Sequence, residues 1–88
     1  NFGGEKIHVV LRVKPNMVDE LIDYFGENIE FKQNGLDEYD VRVAVNDGDG
    51  LYFWLLQYGE NVKVVSPVQV REELLKRIQK IKELYAND

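Results

Sequence analysis

The sequence predicts an α+β domain built on one antiparallel sheet. The segment Tyr24-Phe25-Gly26-Glu27-Asn28-Ile29-Glu30-Phe31 recurs thirty-three positions later as Gln57-Tyr58-Gly59-Glu60-Asn61-Val62-Lys63-Val64. Each copy joins the end of an apolar helical stretch to the start of an alternating strand, and each is preceded, one helix earlier, by another alternating strand. Two strand–helix–strand units in 88 residues predict a single sheet backed by two helices. A further stretch with helical spacing closes the chain.

Ile7, Val9, Leu11 and Val13 alternate with His8, Val10, Arg12 and Lys14, the pattern of a half-buried strand whose odd positions face the core. Lys14-Pro15 ends it, because a residue before proline is pushed away from helical angles. Asn16 is the expected cap of the first helix, with Asp19 and Glu20 in its first turn complementing the dipole. Met17, Val18, Leu21, Ile22 and Phe25 supply its apolar stripe, and Gly26 supplies its stop.

Ile29 and Phe31 alternate with Glu30 and Lys32 in a second strand. Asn34-Gly35 is the strongest hairpin signal in the chain, either as the turn itself or as the start of a longer loop reaching Asp37. The third strand places Tyr39, Val41, Val43 and Val45 on one face and Asp40, Arg42 and Ala44 on the other. Asn46-Asp47-Gly48-Asp49-Gly50 breaks it. The helix through Leu51, Tyr52, Phe53, Trp54, Leu55 and Leu56 is apolar almost all round, so burial on more than one side is expected. Val62 to Val65 form a short fourth strand. Ser66-Pro67-Val68-Gln69 reads as a capping box with proline at the first helical position. The last helix runs to about Tyr85 on a stripe of Val70, Leu74, Ile78, Ile81 and Tyr85, with Leu75 and Leu84 alongside. Glu72–Lys76 and Glu73–Arg77 are its favourably oriented pairs.

A strand–helix–strand unit makes its two strands parallel through a right-handed crossover. Doubling it gives the ferredoxin-like βαββαβ arrangement: a four-stranded antiparallel sheet with both helices on one face, here with an additional C-terminal helix.

Eighty-eight residues make one domain, residues 1–88, with an ordered core expected over 5–86. A chain this short buries only about 60–65% of its unfolded surface. It has no cysteine, so neither disulfides nor thiolate metal sites contribute. Sixteen acidic against eleven basic residues give a formal charge of −5, which opposes tight binding to a phosphate backbone. No apolar run approaches the length of a membrane span. Asn1-Phe2-Gly3-Gly4 is neither a signal nor a transit peptide, and without an initiator Met it suggests a domain excised from a longer protein.

Catalytic side chains are scarce. His8 is the sole histidine and lies mid-strand, away from the helices, which makes a poor metal site. Ser66 is the sole serine and there is no threonine, so covalent catalysis has almost nothing to work with. Asp47, Asp49 and Glu60 fail as a calcium loop, because the fifth and twelfth positions are Leu51 and Tyr58. Gly48-Asp49-Gly50 lacks a third glycine and carries an anion, so it fails as a phosphate cradle. No catalytic, metal or cofactor site is expected, and no enzymatic activity.

The face of the sheet away from the helices is the candidate site. It should display His8, Val10, Arg12, Glu30, Lys32, Arg42, Ala44, Lys63 and Val65. RNA-binding sheets of this topology stack bases on aromatic residues of the central strands, whereas this face has Val10 and Ala44 there. What remains is an apolar strip, Val10–Ala44–Val65, flanked by Arg12, Arg42 and Lys63. Two coverings suit it: the last helix of the same chain, or another domain or subunit.

Several segments resemble one family. Val9-Val10-Leu11-Arg12-Val13 is similar to the V-x-L-R-[FV] strand that opens the C-terminal extension, WCX, of WYL-domain transcriptional regulators. Trp54-Leu55-Leu56-Gln57-Tyr58-Gly59 resembles that extension's W-L-L-x-[YF]-G helix end. Val64-Val65-Ser66-Pro67 resembles its V-L-x-P stretch, and Val70-Arg71-Glu72-Glu73-Leu74 with the helix ending at Tyr85 resembles its L-R-x-x-[LV]…Y finish. The likeness runs from about Phe2 to Tyr85, and its order and spacing are more specific than any one motif.

The resemblance implies a cytoplasmic bacterial parent protein with a DNA-binding winged helix-turn-helix, then an Sm-like WYL barrel that senses a nucleotide or nucleic-acid effector, then this segment. It implies a non-catalytic role in homodimer or WYL-domain contacts and in completing the sensing surface. DNA would be bound only by a part of the parent that this chain does not contain. Trp54-Leu55-Leu56 is not the WYL signature, so no ligand residues carry over. Arg12 alone matches a charged family position, as a polar anchor on the open face. The alternative is an ACT-like small-molecule sensor, which shares the element order. Such domains commonly carry a glycine at the first strand–helix junction, where this chain has Lys14-Pro15-Asn16.

Overall fold

Strand β1 (Lys6–Val13) leads through a 3-10 turn at Pro15–Met17 into helix α1 (Val18–Phe25), and the hairpin β2 (Glu30–Asn34) and β3 (Glu38–Asn46) follows. Helix α2 (Asp49–Gln57), a 3-10 turn at Gly59–Asn61, β4 (Val62–Ser66) and α3 (Val68–Ala86) complete the chain. The computed structural model describes residues 6–26 and 29–86. The chain start, Glu5 at the edge of the expected core, and Glu27-Asn28 in the first copy of the repeat lie outside the described residues.

The four strands lie in the order β2-β3-β1-β4 with every neighbouring pair antiparallel. This is an open α+β sheet, and the order is compatible with the ferredoxin-like expectation. β1 runs the length of β3, from Lys6 opposite Asn46 to Val13 opposite Tyr39.

Strand alternation decides which side becomes the core. Val9, Leu11 and Val13 of β1, Val41 and Val43 of β3, and Val62 and Val64 of β4 are buried. They pack with Met17, Leu21, Leu51, Leu55 and Val70 in one cluster, which places the helices on a single face. The end of α1 is tied to α2 by aromatic rings. Trp54 stacks on Tyr24 with centroids 5.6 Å apart and meets Phe25 edge-on at 5.0 Å and Tyr58 at 4.9 Å. The Tyr24 hydroxyl donates to the Gly50 carbonyl oxygen at 3.2 Å.

Several local expectations change. Asn16 sits within the 3-10 turn, and no side chain caps either that turn or α1, because Pro15 has already set the backbone angle that starts the turn. The hairpin loop is Gly35-Leu36-Asp37. Asn34 still pairs with Glu38, and Gly35 takes the positive φ of 74°. Ser66 is the last residue of β4, opposite Val10, so no capping box forms. Pro67 precedes α3 and its carbonyl oxygen accepts from the N–H groups of Val70 and Arg71. α2 buries Leu51, Tyr52, Trp54 and Leu55 but leaves Phe53 64% exposed.

The last helix does not cross the open face. It packs against β4 and α2. Its docking is fixed by Arg77, whose Nε donates to Glu73 Oε2 and whose Nη2 donates to Asp49 Oδ1, each at 2.8 Å. The guanidinium carbon lies 4.4 Å from the centroid of the Tyr52 ring, in cation–π range. Burial pushes the Tyr52 hydroxyl pKa up, with the Asp47 and Glu73 charges adding to it. The expected stripe therefore divides: Val70 is buried and Leu74 half-buried, but every residue from Ile78 to Ala86 is exposed.

Candidate functional site

The open face assembles from three strands. Cross-strand pairing sets His8 opposite Ala44 and Val10 opposite Arg42, with Arg12 between Asp40 on one side and Lys63 on the other. His8, Arg42, Ala44 and Lys63 are exposed, while Val10, Arg12 and Val65 are half-buried.

The register interrupts the strip at one end. β1 and β4 pair in step from Val13 with Val62 to Leu11 with Val64, and then Val10 meets Ser66. Val65 is thus the extra residue of a β-bulge, and the period of two that assigned it to the open face stops at Val64. Ser66, not Val65, stands across from Val10.

Arg12 is engaged within the chain. Its Nε donates to Asp40 Oδ1 at 2.8 Å and its Nη2 to Asp40 Oδ2 at 3.2 Å, a two-pronged pairing that fixes both planes. The Arg12 hydrogen bonds hold the Asp40 carboxyl below the usual carboxylate range, and Asp40 raises Arg12 in return. Arg42 approaches Glu30 only at 3.9 Å, between two exposed side chains. Arg12 therefore braces β1 against β3, and Lys32, Arg42 and Lys63 carry accessible positive charge on this face.

The Asp40 shift carries a pH dependence. Its folded value lies below the unfolded one, so the ionised pair stabilises the fold fully above about pH 4. That stabilisation is lost as the pH falls through the lower folded value. Glu73, lowered by its hydrogen bond from Arg77, acts in the same direction. Asp40→Asn should be less stable than the parent near neutral pH, and the gap should close as the pH drops below about 4. Urea midpoints measured stepwise from pH 7 downward check this, and a gap constant with pH contradicts it.

A second feature lies at the β4 end of the sheet. A hollow of about 530 Å³ opens between β4 and α3, lined by Val62, Lys63 and Val64 of the strand and Leu74, Leu75 and Ile78 of the helix. It is not legible in the sequence, because it depends on where α3 lands. The residues beside the broken turn do not converge on an ion: Asp49, once a candidate calcium ligand, receives Arg77. Among the described residues, no group of three or more His, Cys, Asp and Glu is placed to hold a metal. No helix there is long and apolar enough to cross a membrane.

No curated protein and no solved structure matches the chain. A protein-family model does, and it spans nearly all of the sheet and helices described above. That model is the WCX domain, matched over residues 5–82, and the chain belongs to this family of regulatory-type domains.

Proposed function

We propose that this domain is a non-catalytic assembly and effector-coupling part of a bacterial, cytoplasmic transcriptional regulator. It makes homodimer contacts, or contacts with a WYL domain of the same chain, through its open sheet face. DNA is bound by another part of that protein, and the effector, a nucleotide or nucleic acid, is sensed jointly with the WYL domain. One observation carries this reading. The open face presents Val10 and the exposed Ala44 beside Arg42, with Lys63 next to Arg12 further along, and α3 packs elsewhere. A small apolar strip inside a charged rim is the anatomy of a modest protein interface.

Ala44→Arg tests it. Ala44 is exposed, so the substitution leaves the core untouched. Light scattering on the 88-residue chain should show a concentration-dependent mass above 10.3 kDa that falls to 10.3 kDa in the variant. A mass of 10.3 kDa for the parent at all concentrations, or a variant that assembles as well as the parent, overturns the homodimer contact. A thermal-shift screen of amino acids and nucleotides addresses the sensing half. A strong shift with an amino acid on this chain alone favours the ACT-like sensor instead.

A further inference from the structure

The hollow between β4 and α3 has a geometry that the open face does not explain. Val62 and Val64 turn to the helical face of the sheet and Lys63, between them, turns the other way, yet all three border the hollow. Because neighbouring residues of a strand point to opposite faces, the hollow reaches round β4 from one face to the other, and it continues past Arg12, Val13 and Lys14 at the end of β1. Among the described residues β4 is a terminal strand paired with β1 alone, so its outer backbone N–H and C=O groups have no partner strand beside this hollow. The opposite wall is apolar: Leu74, Leu75 and Ile78 line it, with Leu75 59% exposed. An edge strand facing a helix across an apolar trough is the arrangement that accepts an added strand.

Charge selects the kind of strand. Lys63 and Arg71 border the trough, and neither joins an ion pair among the described residues. Lys14 lies at the end where β1 finishes, together with Glu38 and Glu60. In a chain of net charge −5, the middle of this trough is locally basic. A second copy's β4 is a poor occupant, because pairing the two edges brings Lys63 and Arg71 of both copies into one place.

We propose that the edge of β4 takes an extended peptide in which acidic residues alternate with apolar ones. Backbone hydrogen bonds to β4 hold it. Its apolar side chains lie on Leu74, Leu75 and Ile78, and Arg71 flanks that apolar wall on the helical side. Its carboxylates, on the other face of the added strand, face Lys63. The site shares Lys63 with the assembly contact proposed above but is tested apart from it, because that test turns on Ala44, which does not border this hollow.

The probe is a fluorescein-labelled octapeptide alternating Val and Glu, titrated with the 88-residue chain and followed by anisotropy and by backbone amide NMR. Binding should shift amides of residues 62–66 and 71–78. It should fall by about tenfold or more in the Lys63→Glu, Arg71→Glu double variant, with an alternating Val and Lys peptide then preferred. N-methylating alternate residues of the probe should abolish binding without altering the protein. Leu75→Lys, at an exposed site, should weaken binding in a chain whose circular dichroism is unchanged. The proposal is overturned by no binding at millimolar peptide or by equal binding of a block Val-then-Glu peptide. It is also overturned by indifference to N-methylation, by shifts confined to residues 81–85, or by self-association through β4 in place of peptide binding.

Discussion

Leu11→Ala is expected to remove much of the stability of the domain. Leu11 is 0% exposed and lies on β1, which is paired on one side with β3 and on the other with β4. Neither neighbour can collapse into the vacated space without dragging its ladder, so the loss falls within the range of about 2–5 kcal/mol for a buried leucine. At about 0.05–0.15 kcal/mol per residue, a chain of this length has roughly 4–13 kcal/mol in all. Urea unfolding followed by far-ultraviolet circular dichroism should show a large drop in midpoint at unchanged slope. Leu11→Met, which conserves volume, should cost less than about 1.5 kcal/mol. Equal effects of the two variants would contradict the tight packing of this site.

Trp54→Ala is expected to be comparably severe, about 3–5 kcal/mol. The indole is buried and is surrounded by the rings of Tyr24, Phe25 and Tyr58, so its loss uncouples the end of α1 from α2. Hydrogen exchange separates this from general destabilisation. Amides of α1 should lose more protection than those of β1 and β3, while Trp54→Phe should keep most of it, because an aromatic ring remains among the three partners. A uniform loss along the chain would show that the rings do not hold α1 in place.

Much of the fold was legible because alternation is a direct consequence of the strand's pleat. Val9, Leu11 and Val13 read as inward and are buried, and the doubled strand–helix–strand pattern led to the antiparallel sheet. The failures are local. Asn16 and Ser66 have the residue types of caps, but the neighbouring prolines place one inside a 3-10 turn and the other in a strand. The place of Val65 in the β1–β4 ladder was not legible, because a single inserted residue interrupts the period of two. Arg12 was recognisable as a charged position, but its partner Asp40 is twenty-eight residues away, and only the β1–β3 register brings them together. The trough beside β4 and the Arg77 clamp depend on where α3 docks, and the spacing of an apolar stripe says that a helix has a sticky side without saying how much of it finds a surface.

The lengths of α3 and β4 do not match. Nineteen residues of helix reach about 28 Å, whereas five residues of strand reach about 17 Å. From Ile78 onward every residue of α3 is exposed. The distal turns are thus expected to hold their helix much as a short peptide does, and peptides under about 12–15 residues do so only marginally in water. Protection against deuterium should decline stepwise along α3 from Val70 towards Ala86. Any binder that leans on Ile81 and Tyr85 gains a spectroscopic signature for the same reason: dichroism at 222 nm deepens as the tail winds up.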